Sequence, residues 1–290
     1  MSVTSAAAPS RRARPWPWTR ILRYTVQAIF VAVILSAATR HHIAGGDASP
    51  MPALDALCPF GGIETAYSYV VLGQFLPKTA PSNLFLLGGL LLGIIAAGGS
   101  FCGWMCPFGA VQDLLTGIRR RLKIPAVVVP LKLDHWLTYG RYVVLALIVY
   151  FTITTATLWF LNVDPYHGLF GLGWIFEFNW AAHGLAYVVT GAVIAGSLFI
   201  HRFWCRYACP LGAVISIVQR ASLLKIERRL DVCIDCGRCA KACPMRLPVD
   251  KAIRTSASCT GCLDCVEACP KKGALDVSFV LMRPNESNPV

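Results

Sequence analysis

Two copies of one cysteine pattern, C-x2-C-x2-C-x3-C-P, lie near the C-terminal end of the chain and constrain its fold more than any other feature. They read CIDCGRCAKACP at residues 233–244 and CTGCLDCVEACP at residues 259–270. In this pattern three cysteines of each run surround one face of a cubane cluster, and the fourth cysteine ligates the other cluster. The spacing therefore predicts a bacterial-type ferredoxin domain of α+β class with two [4Fe–4S] clusters, at residues 225–283.

The crossed ligation divides the eight cysteines into two predicted ligand sets. The first set is Cys233, Cys236, Cys239 and Cys269, and the second is Cys259, Cys262, Cys265 and Cys243. Zinc is the alternative, because C-x2-C pairs also bind Zn²⁺. A zinc site uses two such pairs and has no need of a third and a fourth cysteine at these offsets, which favours the clusters.

The apolar residues are concentrated in the first two-thirds of the chain. Hydrophobic residues make up 56% of the 290 residues, although the ferredoxin segment is polar. Four apolar runs are long enough to predict transmembrane helices, at about 21–39, 82–100, 142–161 and 184–200. We therefore expect an α-helical membrane domain at 21–220, preceded by a disordered basic tail at 1–20. A short tail at 284–290 follows the ferredoxin domain.

Basic residues indicate the orientation of the predicted membrane domain. The net charge is +12, and arginines and lysines sit just outside the apolar runs on one side, as in the cluster Arg119, Arg120 and Arg121. Such residues mark the cytoplasmic side of a membrane. We expect a multi-pass protein of a bacterial-type inner membrane, with both termini and the ferredoxin domain in the cytoplasm and no nucleic acid as partner. A reducing cytoplasm also disfavours disulfides.

The predicted membrane domain contains an internal repeat. The segments FCGWMCPFGAVQDLL and WCRYACPLGAVISIV align without gaps, each follows an apolar run, and an Arg-Tyr pair starts each half, at residues 23–24 and 141–142. The four spans therefore form two copies of a two-helix unit. Because an even number of spans separates the copies, they have the same orientation, as in a parallel repeat.

The repeat brings two C-x3-C-P motifs to one face of the predicted membrane domain. Their cysteines are Cys102 and Cys106 in the first copy and Cys205 and Cys209 in the second. Thiols at positions i and i+4 share one face of a helix, and four thiolates suit zinc or an iron–sulfur centre. The alternative is a packing and turn motif, in which the prolines shape the helix exit and the thiols are buried as small apolar groups.

Four spans, C-x3-C-P motifs after the second and fourth spans, and a trailing two-cluster ferredoxin together resemble the NapH-type ferredoxin-like membrane proteins, which are related to NosR-type and polyferredoxin-type membrane iron–sulfur proteins. The resemblance covers about residues 20–275. It implies a membrane component of a quinol dehydrogenase, which moves electrons between the quinone pool and a partner redox enzyme or carrier. Matched residue by residue, the resemblance implies functional roles for the eight ferredoxin ligands and for the four C-x3-C-P cysteines. Cys58, within CPFGG, has no place in this pattern.

Quinone chemistry couples electrons to protons, so a quinone site needs an apolar slot beside an imidazole or a carboxylate. The outer ends of the predicted spans offer six candidates, namely His41, His42, Asp164, His167, Glu177 and His183. They are also what interfacial loops commonly contain. His41 or His42 with His183 could instead ligate a haem, but no pair of histidines at a suitable helical spacing supports that.

Two functions remain open at the level of sequence. Electron transfer between quinone and a partner redox protein follows from two clusters fixed to a four-span body. The alternative is an assembly factor that reduces copper or thiols for a respiratory enzyme, which Cys58 and the paired C-x3-C motifs would suit. The direction of electron flow stays open, because cluster potentials depend on surroundings that a sequence does not display.

Overall fold

A computed structural model of the chain describes residues 18–44, 62, 65–66, 73, 81–155, 160, 163–176 and 178–279. Cys58, Glu177, the tail at 284–290 and nearly all of the predicted N-terminal tail lie outside these residues. We call the described residues 18–221 the helical body, and residues 224–279 the C-terminal unit.

Twelve α-helices are present in the described ranges. In chain order they are α1 (Trp18–Ile43), α2 (Pro81–Ala97), α3 (Pro107–Arg121), α4 (Leu131–Thr138), α5 (Gly140–Thr155), α6 (Pro165–Phe170), α7 (Gly173–Phe176), α8 (Trp180–Phe199), α9 (Phe203–Tyr207), α10 (Pro210–Val218), α11 (Arg238–Ala242) and α12 (Asp264–Ala268). A π-helical turn occupies Phe101–Met105, a 3-10 turn occupies Gln219–Ala221, and the strands are β1 (Leu224–Arg228) and β2 (Leu275–Phe279).

Helices α1, α2, α5 and α8 correspond to the four predicted spans. Trp18–Ile43 and Leu131–Thr155 are long and apolar enough to cross a membrane, whereas Asn83–Ala97 and His183–Phe199 are shorter apolar helices. At 1.5 Å per residue, the 26 residues of α1 extend about 39 Å. This helix begins three residues before the predicted tail ends, and it includes His41 and His42 in its last turn.

The two C-x3-C-P motifs have one backbone design, which differs from the continuous helical face expected from the sequence. Cys106 and Cys209 are extended, with φ −65° and ψ 115°, and φ −68° and ψ 115°, and each precedes a helix that begins with proline. A residue before proline is excluded from the helical region by the proline ring. The i and i+4 prediction is therefore wrong: the first cysteine of each motif lies in a helical turn, and the second lies in the break that follows.

The C-terminal unit closes with an antiparallel pair of strands, which runs from Leu224 opposite Phe279 to Arg228 opposite Leu275. Its core contains Ile226, Val249 and Leu275 together with Cys239 and Cys265. Those two cysteines lie on α11 and α12, and both helices follow a residue in the left-handed region. The two halves of the unit are therefore built alike, and the strands join its first and last segments.

Candidate metal centres

The four cysteines of the first predicted ferredoxin set line one cavity of the C-terminal unit, with Asp235, Lys271 and Arg228 beside them. The Arg228 guanidinium lies 3.7 Å from Cys233 Sγ. Cys236 is exposed, unlike the other eleven cysteines in the described ranges. This site therefore opens to solvent.

The second predicted set, Cys259, Cys262, Cys265 and Cys243, lines a separate cavity with apolar neighbours that include Ile226 and Val249. The Gly261 N–H donates to Cys259 Sγ at 3.4 Å. Burial raises the pKa of the Cys262 thiol to about 11, with a further contribution from Asp264. These buried thiols lose their protons only when a cation compensates the thiolates, as a cluster does.

Neither cavity has the geometry of a single-ion site. Among the described residues, no three His, Cys, Asp or Glu side chains are close enough together to hold one metal ion. Tetrahedral zinc requires four ligand atoms at about 2.0–2.3 Å from one point. Cysteines that surround a cavity instead fit the larger cubane, in which each sulfur binds a different iron.

The four C-x3-C-P cysteines also come together. Cys106, Cys205 and Cys209 line a mostly apolar cavity of about 560 Å³ in the helical body, and Cys102 packs beside Leu90 and Ile94. Burial, together with the neighbouring Cys106, raises the pKa of the Cys205 thiol to about 12. The pKa values of Cys102 and Cys209 are raised by burial and by the other thiols of the group.

Hydrogen-bond donors reach two of these sulfurs. Gln112 Nε2 donates to Cys205 Sγ at 3.0 Å, and the Gly212 N–H donates to Cys209 Sγ at 3.3 Å. The Gln112 side chain is held by its Oε1, which accepts from Ser197 Oγ and the Trp204 N–H. Donors of this kind stabilise thiolate over thiol, and thiolate is the form in which cysteine would bind an iron–sulfur centre.

A buried ion pair crosses between the two motifs. Arg202, whose side chain is fully buried, donates from Nη2 and Nε to the Asp113 carboxylate at 2.7 and 2.9 Å. It also donates from Nη1 to the Cys102 carbonyl at 3.3 Å. Burial alone would raise the pKa of Asp113, but the charge and hydrogen bonds of Arg202 and His201 outweigh it and hold that pKa well below its usual range. The guanidinium supplies positive charge next to Cys102, Cys106 and Cys205.

The loop of the second ferredoxin set packs directly on the first C-x3-C-P motif. The Trp104 indole N–H, between Cys102 and Cys106, donates to the Gly261 carbonyl at 3.0 Å. A Cβ on Gly99 would lie 2.2 Å from the Cys259 carbonyl oxygen, and a Cβ on Gly103 would lie 2.3 Å from that of Thr260. Only glycine permits so close an approach.

The two Arg-Tyr pairs, noted in the sequence only as a sign of the repeat, both hold this loop. Arg23 Nη1 donates to the Cys262 carbonyl at 2.9 Å and pairs with Asp264 at 3.1 Å. Arg141 Nη2 donates to Ser258 Oγ at 2.8 Å. The loop is therefore fixed to both copies of the repeat, which places the second ferredoxin site beside the C-x3-C-P cysteines.

The described candidate quinone residues do not form one site in the structure. Asp164 caps α6 by accepting from the Tyr166 N–H at 3.0 Å, and both residues line the 560 Å³ cavity that reaches the C-x3-C-P cysteines. None of the four histidine candidates contributes to the described lining of that cavity. His42 Nε2 lies 2.6 Å from the Gly171 carbonyl, near His167, and its ring stacks on Phe176. His183 packs edge-on against Tyr187.

Sequence reasoning missed the roles of Gln112, Asp113 and Arg202. Arg202 stood among the basic residues that mark a cytoplasmic end, and nothing in the pattern indicated that it is buried. The signal was available in the repeat, because Gln112 is polar where the second copy has Ile215, and Asp113 is charged where the second copy has the neutral Ser216.

Comparisons with known proteins define the class. The model of a 4Fe-4S binding domain matches twice, at residues 79–125 and 182–230, and that of a 4Fe-4S dicluster domain matches residues 225–270. The double match covers the two C-x3-C-P segments, and the second model covers the predicted ferredoxin. The chain is a membrane protein with a ferredoxin-type iron–sulfur domain.

Its relatives place it in a family. The chain is 32% identical to YccM of Escherichia coli, named for electron transport, over 69% of this chain and 56% of YccM. It is 32% identical to the regulatory protein NosR of Pseudomonas aeruginosa, over 51% of this chain and 20% of NosR. An uncharacterised protein of Methanocaldococcus jannaschii is 30% identical, over 63% of this chain and 71% of that protein. The chain belongs to the NosR/NapH-like family of membrane-associated ferredoxin-type proteins.

The chain spans about half the length of YccM and a fifth of NosR. No solved structure matches it.

Proposed function

We propose that this protein moves electrons between membrane quinone and a partner redox protein at the cytoplasmic face. Two [4Fe–4S] clusters bind at the two cysteine sets of the C-terminal unit, and a further iron–sulfur or metal centre binds at the C-x3-C-P cysteines. Bound clusters of this kind exchange electrons at potentials that their surroundings set.

The observation that best supports this proposal is the spatial order of three cysteine sites, which lie one after another between an apolar cavity and the solvent. The C-x3-C-P cysteines lie at the cavity, the Cys259 loop packs on the first motif through Trp104, and the exposed Cys236 lies at the far site. The two ferredoxin sites share one small core. This order supports a route that connects the membrane interior with a soluble partner.

The apolar cavity supports quinone as the membrane reactant. It is lined by α1 and α2 side chains such as Phe30 and Phe85, and it ends near the cysteines on one side. Asp164 contributes a carboxylate to the same lining. A quinol that gives up electrons must also release protons, and a carboxylate beside an apolar slot can accept them.

Four membrane spans and a cytoplasmic C-terminal unit complete the proposal. Helices α2 and α8 are short for a span, yet each is followed by a motif that packs into the helical body, and basic residues flank these ends. A periplasmic signal from a reporter fused after the C-terminal unit would contradict this orientation.

Quinol oxidation in liposomes tests the function. A water-insoluble quinol analogue should bleach the cluster absorbance of the reconstituted protein, and Asp164→Asn should slow this bleaching by about 10²-fold, because proton transfer by a positioned group contributes about that much. Reduction of the same variant by dithionite should be unchanged.

Asp276→Asn provides the matched control, since Asp276 is an exposed carboxylate on β2, away from the cavity. Loaded wild-type protein that dithionite reduces and quinol does not would overturn the quinone proposal.

A further inference from the structure

We propose that the surface around Cys236 is the docking site for an acidic redox protein, which exchanges electrons with the first ferredoxin site. The proposal rests on the electron-transfer function above and specifies the chemistry of the partner. We call this surface the Cys236 face; its members are Leu230, Ile234, Cys236, Arg238, Lys241, Lys271 and Lys272.

The two ferredoxin sites differ in what covers them. The Cys259 loop is in contact with Trp104, Arg23 and Gln219 of the helical body. The first site has Cys236 at the solvent boundary. A soluble protein can therefore approach the first site closely, while the second site is covered by the helical body.

The Cys236 face carries an apolar centre. Leu230 and Ile234 are 58% and 54% exposed, and Ile234 lines the cavity of the first site. Contiguous apolar surface with a polar rim is typical of protein contact sites. Protein interfaces combine an apolar centre of this kind with a charged rim.

The rim of the face is basic. Arg238 and Lys241 are exposed on α11, the helix that carries Cys239, and Lys271 and Lys272 are exposed directly after Cys269 and Pro270. The carboxylates of the same loops already pair, Asp231 with Arg229 at 3.1 Å and Asp235 with Arg228 at 2.9 Å. The rim therefore presents positive charge, which attracts an acidic partner and accelerates encounter.

An anionic lipid surface would also attract these cations. A lipid contact, however, needs no redox site at its centre, whereas the exposed Cys236 lines the first site together with the basic Lys271. The observations favour a redox protein, and lipid binding becomes an outcome of the test.

The test uses the full-length, cluster-loaded protein in nanodiscs, reduced by dithionite and freed of excess reductant. An acidic flavodoxin and a basic cytochrome c serve as oxidants of opposite charge. Transfer to flavodoxin should fall steeply with ionic strength and should be about 10-fold slower in Lys271→Gln/Lys272→Gln at low salt, because charge steering changes association rates by 10-fold or more. Transfer to cytochrome c should be unchanged or faster.

Arg120→Gln/Arg121→Gln is the matched control, because it removes two exposed cations from another basic cluster, on α3. Equal slowing in the two double variants, or no preference for the acidic probe, would overturn the proposal. Loss of binding to phosphatidylglycerol vesicles, with unchanged transfer to flavodoxin, would assign the face to lipid and also overturn it. Because dithionite replaces quinol, failure of the quinone step leaves this result interpretable.

Discussion

The two copies of the C-x3-C-P repeat share a backbone but differ in the residues around their cysteines. Each copy has a helical turn with the first cysteine, an extended second cysteine, and a helix that begins with proline. In the first copy Gly99 and Gly103 leave room for the Cys259 loop. The aligned residues of the second copy are Arg202 and Arg206, which form buried ion pairs instead.

This difference shows how the two copies of a duplicated unit can have different structural roles. In the first copy, glycines allow the Cys259 loop to pack closely. In the second copy, arginines at the aligned positions supply buried positive charge. The two copies are joined crosswise, because Asp113 of the first copy pairs with Arg202 of the second, and Gln112 of the first donates to Cys205 of the second. Neither copy could form this site alone.

Removal of the ion pair between Arg202 and Asp113, which joins the two copies, should have the largest effect on the free energy of unfolding. Arg202→Leu leaves the Asp113 carboxylate buried without its main partner, which should lower the free energy of unfolding by about 3–5 kcal/mol. Thermal unfolding in detergent would measure it.

The exposed pair provides the control, since Arg229→Leu removes a cation that is mostly in solvent and should cost at most about 1 kcal/mol. The double variant Arg202→Leu/Asp113→Leu should recover part of the loss. Equal melting temperatures for Arg202→Leu and Arg229→Leu would mean that the buried pair does not join the two copies.

A larger side chain where the Cys259 loop packs on the first motif should have an intermediate effect on the free energy of unfolding. Gly103→Ala forces the Thr260 carbonyl away, and overpacking of this kind costs about 1–3 kcal/mol. Because the strain falls on the docked loop, hydrogen exchange at residues 258–264 should accelerate while α8 stays protected.

Gly117→Ala is the matched change, since a Cβ there meets open space on α3 and alanine favours the helix. Unaltered exchange in Gly103→Ala would contradict the close packing of the loop on the first motif.

Loss of the sulfur donor should change the potential of the nearby centre more than the stability of the protein. Gln112→Leu removes the hydrogen bond to Cys205 and the two that Gln112 Oε1 accepts from Ser197 and Trp204, at a cost of about 1 kcal/mol each, and hydrogen bonds to sulfur raise the potential of a thiolate-bound centre. The reduction potential of the centre at the C-x3-C-P cysteines should therefore fall, as redox titration with electron paramagnetic resonance would report.

Thr116→Val serves for comparison, because Thr116 is buried one turn further along α3 and bonds only to the Gln112 carbonyl of its own helix. A spectrum and potential in Gln112→Leu that match those of Thr116→Val would remove Gln112 from the surroundings of the centre.

Sequence spacing predicted the membrane-protein class and the ferredoxin domain, because both depend on local composition and fixed cysteine offsets. It did not predict the break at Cys106 and Cys209, although proline after each cysteine carried the information. The sequence also did not predict that the Cys259 loop packs on Gly99 and Gly103, because a sequence does not show which two surfaces are in contact. Arg202 resembled a topology marker for the same reason, since burial is a property of the folded chain.

The ion pairs between α1 and α12 have a consequence for biosynthesis. Arg20 and Arg23 lie in α1, and their partners Asp264 and Glu267 are made more than 240 residues later. These contacts of α1 therefore form only after residues 264–267 have been synthesised. The packing of α1 is thus completed late in biosynthesis, and a chain stopped before residue 264 would present an incompletely packed helix α1 to the membrane's quality-control proteases.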